Sequence, residues 1–522
     1  MRDLINHIAT LTIVKPADQT RRYAARIASR LAGSGRMSRA DLASLWTNTQ
    51  MQESRKEGAF SGRLVMLGFG CIGQATLPLL MRHIDMQPAQ ILVVAPGDAA
   101  AALARAQGSA YLQQRLDADN YRRCLEPLLG AGDFLLNLAV DVSSTALIEL
   151  CQARGALYLD TCIESWAGRF FDTSLAPAQR TNYALREAAL ALRRPARNGP
   201  TAVVNHGANP GLISHLLKQA LLNLARDTGV TSELPRVRTD WALLAQRLGV
   251  CVIHIAERDT QVGKERKAVG EFVNTWSVRA FVDESCQPAE LGWGSHEHHL
   301  PTDAARHDTG SRAAIYLNRP GASTRVRSWT PRTGPMHGFL ITHGESISIA
   351  DLLTLGDPES PNYRPTVHYA YHPCDDALLS LHELAGRNWR IQERQRVLKD
   401  EIVSGIDELG VLLMGHARNG YWYGSQLSIE QARALCPFNN ATSLQVAAPV
   451  MAGVLWAIAH PACDVVEPDD LPFNDILRLC RPYLGDVVGV YSDWTPLANR
   501  GWLFAEDVDR DDPWQFGNFR VT

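Results

Sequence analysis

Four acidic residues stand in settings where acids are seldom placed. Glu257 follows His254-Ile255-Ala256, and Glu284 lies shortly after Trp276. Glu345 closes Thr342-His343-Gly344-Glu345, and Asp407 sits in Gly405-Ile406-Asp407-Glu408. Carboxylates are ordinarily solvated surface groups, so each alone reads as that. Gathered into one pocket they would attract a cation, raise one another's pKa and leave one of their number able to accept a proton. Their wide separation in sequence means that only a fold could gather them.

A second set points to a cofactor. Gly68-Phe69-Gly70-Cys71-Ile72-Gly73 follows the apolar run Leu64-Val65-Met66-Leu67 and precedes a helix-compatible segment, 74–83. Strand, glycine loop and helix in that order suit a dinucleotide diphosphate. The first glycine permits a tight turn, the second lets backbone N–H groups approach the phosphates, and the third lets helix and strand pack closely. Cys71 and Ile72 belong to this loop, and the positive end of the helix after it would face the diphosphate. An acid is expected about twenty residues on, to hold the adenosine ribose. That place is Ala95, followed by Pro96-Gly97-Asp98, so Asp98 is the nearest acid able to reach the ribose. No Arg or Lys occupies 95–100 to receive a 2′-phosphate, which favours NAD over NADP.

Other chemistries find little support. His296, His298 and His299 lack the H-E-x-x-H spacing of a zinc helix, and His368, His372, Cys374 and Asp375 lack zinc-ligand spacing too, so no metal is expected. No G-x-S-x-G nucleophile elbow occurs. The ten cysteines include no C-x-x-C pair and read as reduced thiols. A net charge of −3 argues against a nucleic-acid binder. Without an N-terminal apolar core or a membrane-length apolar run, the expectation is a cytoplasmic protein that does not engage a membrane.

The elements that must position these residues follow from pattern. A chain of 522 residues needs two or three domains. Residues 1–60 read as a basic helical extension with helices at 17–33 and 38–49. Residues 61–212 alternate strand and helix, as a doubly wound parallel sheet does, with Pro78 expected to kink the first helix. At the carboxyl edge of that sheet Asp141 and Ser143 would border the cofactor, beside the strand that delivers Thr161 to Glu164. Asn209 before Pro210 reads as a turn or a helix N-cap, a structural signal on its own. Over 213–435 the strands expected at 253–256, 271–278, 314–317 and 339–342 suggest a mixed sheet forming a substrate and dimerisation domain. Helices at 440–460 and 473–484 and a strand at 487–491 should pack back on the first domain, before a turn-rich tail, 496–522. The fold class is α/β.

Longer stretches carry a resemblance: His254-Ile-Ala-Glu-Arg-Asp-Thr260, Val273-Asn-Thr-Trp-Ser277, Ala289-Glu-Leu-Gly-Trp-Gly294, Val326-Arg-Ser-Trp-Thr-Pro331, Tyr421-Trp-Tyr-Gly-Ser-Gln-Leu427 and Val490-Tyr-Ser-Asp-Trp-Thr-Pro496, with Gly207-Ala-Asn-Pro-Gly211. From about residue 63 onward the chain resembles the bacterial homospermidine synthases, relatives of saccharopine dehydrogenase. The resemblance implies NAD as a recycled cofactor. A hydride leaves the carbon beside a putrescine amine, ammonia is lost, a second putrescine condenses to an imine, and the same hydride returns to give homospermidine; spermidine can serve as donor. It further implies that Glu164, Glu257, Glu284 and Asp407 contact amines and that Asn209 orients substrate. Trp276 would face an ammonium or iminium, and His343 and Glu345 would form a Thr-His-x-Glu-Ser element in which Gly344 replaces an Asn. Diamines and polyamines are the implied ligands and a homodimer the implied assembly. Two rivals are a saccharopine- or carboxyspermidine-dehydrogenase-type imine reductase with net NAD(P)H consumption, and a non-catalytic NAD-binding regulator using the basic 1–60 segment.

Overall fold

The computed structural model describes residues 56–521 apart from 99, 231–232 and 437–438; the helices expected at 17–33 and 38–49 lie outside the described residues. Leu64–Leu67 is apolar at every position and buried at every position, which suits a strand covered on both faces. It lies within a seven-stranded, wholly parallel sheet ordered Val465–Val466, Ala202–Val203, Leu157–Asp160, Phe134–Asn137, Leu64–Leu67, Ile91–Ala95, Ala110–Gln113. The chain leaves Leu64–Leu67 towards one edge and returns to Phe134–Asn137 on its other side. This reversal opens a crevice beyond the strands' carboxyl ends.

Pro78 lies inside the next element. Helix Cys71–His83 runs on through Pro78 as a single element. Proline removes one backbone bond, but the surrounding turns are buried and the helix packs along Ala441–Ala459, so tertiary contact holds the element together. Ala441–Ala459 is long and apolar enough to cross a membrane by composition, yet 83% of its apolar window is buried among other elements. Gly58–Ala59, assigned to the N-terminal extension from sequence, pairs in parallel with Ile84–Asp85.

The second sheet has eleven strands of mixed direction. At its centre Val252–Asp259 pairs in parallel with Thr366–His372 and antiparallel with Ile406–His416. The registers place Tyr371 opposite Glu257 and Asp407 opposite Asp259. Two expected strands shift. The first ends at Asn274, and Ser277 caps helix Val278–Cys286 by accepting a bond from the Ala280 N–H. The alternating residues thus conceal a strand, a cap and a helix start. The second is Gly334–Phe339; the apolar run after it is a buried approach to helix Gly344–Leu352. The C-terminal tail contributes a strand, Arg520–Val521, against Arg325 and Val326, while the Arg520 guanidinium meets Asp303 at 2.7 and 2.6 Å.

Arg186, only 1% exposed, links the two sheets' helices. It bonds both oxygens of Glu467 at 2.6 and 2.7 Å and Asp351 at 2.9 Å. Arg186→Met should cost about 3–5 kcal/mol in urea unfolding, because buried Glu467 is left with only the more distant Arg193, at 3.9 Å; a change below about 1 kcal/mol would show the pair to be expendable.

Candidate active site

The glycine loop has the geometry its spacing suggests. Gly68 adopts φ +81°, and a side chain there would come within 2.6 Å of the Leu138 carbonyl; one at Gly73 would come within 2.8 Å of the Gly68 carbonyl. A side chain at Gly70 would meet nothing within 4 Å. That open side, beside a helix start with no side-chain cap, is the room a diphosphate needs. Gln74 steadies the loop by donating to the Phe69 carbonyl at 2.9 Å. These residues fit a dinucleotide.

From this loop the crevice extends in two directions that share Ala139 and Val140. The outer part is lined by Ala95, Pro96, Gln114, Arg115, Asp117 and Asp141, among others. Asp98 is exposed and does not line it. Ser143 also stands back, accepting from the Ala146 N–H at 3.4 Å as the cap of helix Ser144–Arg154. The inner part is bordered by Ile72 and Thr161 on the dinucleotide side, and by Glu164, Asn209, Glu257, Trp276, Glu284 and His343.

Each inner residue is held by named contacts. Trp276 sits in the turn between strand and helix. Its neighbour Thr275 donates to Asp259 at 2.8 Å and accepts, through its carbonyl, from Asn440 at 2.6 Å. Ala280 and Glu284, four residues apart on the following helix, line the same cavity. Asn209 donates to Glu257 at 2.6 Å and to the Tyr369 hydroxyl at 2.7 Å, and that hydroxyl also bonds Glu257. Asp407, fully buried, does not line the cavity directly; it accepts at 2.5 Å from Thr442, which does. Gln261 joins the two halves, donating to Asp259 and to Thr442.

His343 bridges the acids. Its Nε2 lies 3.6 Å from Glu284 and its Nδ1 3.7 Å from Glu345. Glu345, in the first turn of helix Gly344–Leu352, accepts from the Gly211 N–H at 2.9 Å, at the start of helix Leu212–Thr228. It therefore meets two helix N-termini. The Gly344 departure is explained locally: a side chain there would approach the Asn205 amide within 2.7 Å.

Burial dominates the electrostatics. It raises Glu257 to about 7, opposed by its bonds from Tyr369 and Asn209. It raises Asp407, helped by the charges of Glu257 and Asp259, and raises Glu164, helped by Asp283 and Glu284. Burial would lower His343, but the flanking Glu284 and Glu345 carboxylates more than reverse it and raise the imidazole to about 10. The acids thus form two sets, Glu257–Asp259–Asp407 and Glu164–Asp283–Glu284, with His343 and Trp276 on the same cavity. Of these six, Glu164, Glu257 and Glu284 line the cavity itself, and such an acidic lining attracts cations. Among the described residues no lining residue of this cavity is Arg or Lys. Among the described residues, too, no group of three or more His, Cys, Asp or Glu is placed to hold a metal ion.

Sequence reasoning passed over Asp259, Asp283, Tyr369 and Thr442. Asp259 and Tyr369 left a faint signal: Glu257 and Asp259, like Tyr369 and Tyr371, are two apart on a strand and so share a face. Thr442 left none, since it begins a helix from a distant part of the chain.

Comparison with known proteins agrees with this geometry. Residues 64–203 match the saccharopine dehydrogenase NADP binding domain, and residues 207–490 the saccharopine dehydrogenase C-terminal domain. A homospermidine synthase of Blastochloris viridis is 55% identical over 464 residues, covering 88% of this chain and 97% of that one. One of Mesorhizobium japonicum is 49% identical over 471 residues, covering 89% and 97%. The crystal structure of the homospermidine synthase from Legionella pneumophila in complex with NAD superposes with a TM-score of 0.83 at 49% identity, covering 89% of this chain and 98% of that one. A dinucleotide crevice that opens onto an acidic, lysine- and arginine-free cavity, together with this degree of identity, places the chain in the homospermidine synthase family.

Proposed function

We propose that the chain uses NAD to join two putrescine molecules into homospermidine with release of ammonia, and that spermidine can replace the first putrescine as aminobutyl donor. The observation that carries the reading is the pair of carboxylate sets sharing one cavity with Trp276 beside the dinucleotide loop. NAD, when bound, supplies an acceptor for a hydride that is later given back. The protein's own groups do the rest. Each acid set receives one ammonium of the diamine, so the chain of carbons between them lies along Trp276. Once ionised, Glu257 can take a proton from the reacting amine, and Asn209 and Tyr369 fix its carboxylate in place. The Trp276 ring faces the cationic carbon–nitrogen unit that both halves of the reaction share. His343, held protonated between Glu284 and Glu345, offsets part of the negative charge that the acids bring to the cavity.

An imine reductase acting on a carboxylated substrate would need an arginine or lysine for that carboxylate, which the described lining lacks. A homodimer in the cytoplasm is the setting we propose; ten cysteines, none of them in a disulfide among the described residues, suit a reducing compartment. The test supplies purified protein with NAD and putrescine. Homospermidine and ammonia should form with no lasting rise in NADH absorbance. Neither product appearing while NAD binds would overturn the reading.

The pH dependence has a defined sign. Glu257 titrates at about 7 in the folded chain against an ordinary value of 4.5. Its protonation therefore favours the fold below 4.5, and that contribution is lost as pH rises through about 7. Putrescine should restore it by pairing with the ionised group. The thermal stabilisation given by putrescine, and kcat/KM with it, should rise between about pH 6 and 8. A stabilisation by putrescine that is flat across this range would remove the buried acids from the binding site.

A further inference from the structure

Asp407 is a carboxyl group that a ligand in the cavity cannot touch. It is fully buried; among the described residues one of its oxygens accepts no hydrogen bond, and the other accepts at 2.5 Å from the Thr442 hydroxyl. Thr442 stands between it and the cavity, which it lines with Glu257 and Trp276. Local structure fixes Thr442 there. Asn440 caps helix Ala441–Ala459 by accepting from the Ser443 N–H at 2.7 Å, which sets Thr442 in the first turn. The same Asn440 donates to the Thr275 carbonyl, so the helix start and the Trp276 turn are tied together. The Gln261 amide oxygen accepts from the Ala441 N–H at 3.0 Å, which turns its NH2 group towards Asp259 at 3.1 Å and Thr442 at 3.0 Å. A hydroxyl has one proton and two lone pairs. The proton goes to Asp407 and one lone pair to Gln261, so one lone pair is left for the cavity.

We propose that Thr442 is a further substrate-contacting residue: its hydroxyl accepts an N–H of the reacting amine beside Glu257, and Asp407 acts through it as a positioning residue. An ammonium offers three N–H donors. With one on Glu257 and one on Thr442, the nitrogen is held in a single orientation while Glu257 takes its proton. Asp407 draws on the hydroxyl proton and so strengthens the oxygen as an acceptor. Burial raises the Asp407 pKa, and an ammonium nearby favours the ionised form that does this. The charge thus stands one hydrogen bond behind the cavity wall, and the amine meets it as a neutral oxygen of fixed position.

This role rests on the proposed use of putrescine. With the purified full chain, NAD and putrescine, Thr442→Val should lower kcat/KM for homospermidine formation by about tenfold or more. It should leave NAD affinity within about twofold, which also shows the variant to be folded. Thr442→Ser, which keeps the hydroxyl, should stay within about threefold of the unaltered chain. Asp407→Asn should also lose activity, yet adding it to Thr442→Val should cost no more than about twofold beyond Thr442→Val alone. Should the valine variant lose NAD binding, Thr442→Ala carries the same expectations. Full activity without the hydroxyl, equal losses for serine and valine, or losses that multiply in the double variant would overturn this role and leave the putrescine reading standing. An unaltered chain that makes no homospermidine would overturn both.

Discussion

Glu257→Gln should lower kcat/KM for putrescine by about 100-fold or more, since removing one partner of a buried charge pair costs about 2–5 kcal/mol or more. The substitution isolates charge from shape. A glutamine carbonyl can still accept from Asn209 and Tyr369, so the local hydrogen bonds survive and NAD affinity should not move. The rise of activity through about pH 7 should vanish with it, because Glu257 is the group placed to titrate there. Kinetics across pH, beside an NAD titration, check all three outcomes. A variant that retained both its activity and its pH limb would take Glu257 out of the chemistry and return the assignment to Asp407 or Glu164.

Trp276→Ala should reduce turnover by about 30-fold or more, the equivalent of losing a desolvated cation–π contact of about 2 kcal/mol. Trp276→Phe, which keeps an aromatic face, should recover part of the loss. The ring also packs against Phe281 at 5.5 Å between centroids, so the alanine variant's melting temperature has to be measured alongside. Unchanged single-turnover rates, with NAD bound and the fold intact, would show that Trp276 only shapes the cavity wall. A smaller effect for phenylalanine than for alanine is the result that ties the loss to the ring face rather than to bulk.

Both experiments address residues whose importance was partly readable before any coordinates. The glycine loop announces itself because its three glycines answer to local demands: a positive φ at Gly68, a close backbone approach at Gly73 and open space at Gly70. Requirements of that kind are met within a few residues, so spacing records them. The alternating parallel sheet was readable for the same reason, its continuous apolar strands being short and bounded by turns. Where local pattern misled, a second element intervened. Ser277 converts an apparent strand into a helix start.

The sequence by itself therefore determined a dinucleotide loop on a doubly wound sheet, and a scatter of acids in unusual company. It could not say that the acids meet. Asp407 reaches Asp259 only through antiparallel register, and Glu345 reaches Gly211 only because two helices start at one point. Glu257 is raised to about 7 only because burial strips its water. Contacts across strands and between distant segments depend on register and packing, which hydrophobic period does not encode.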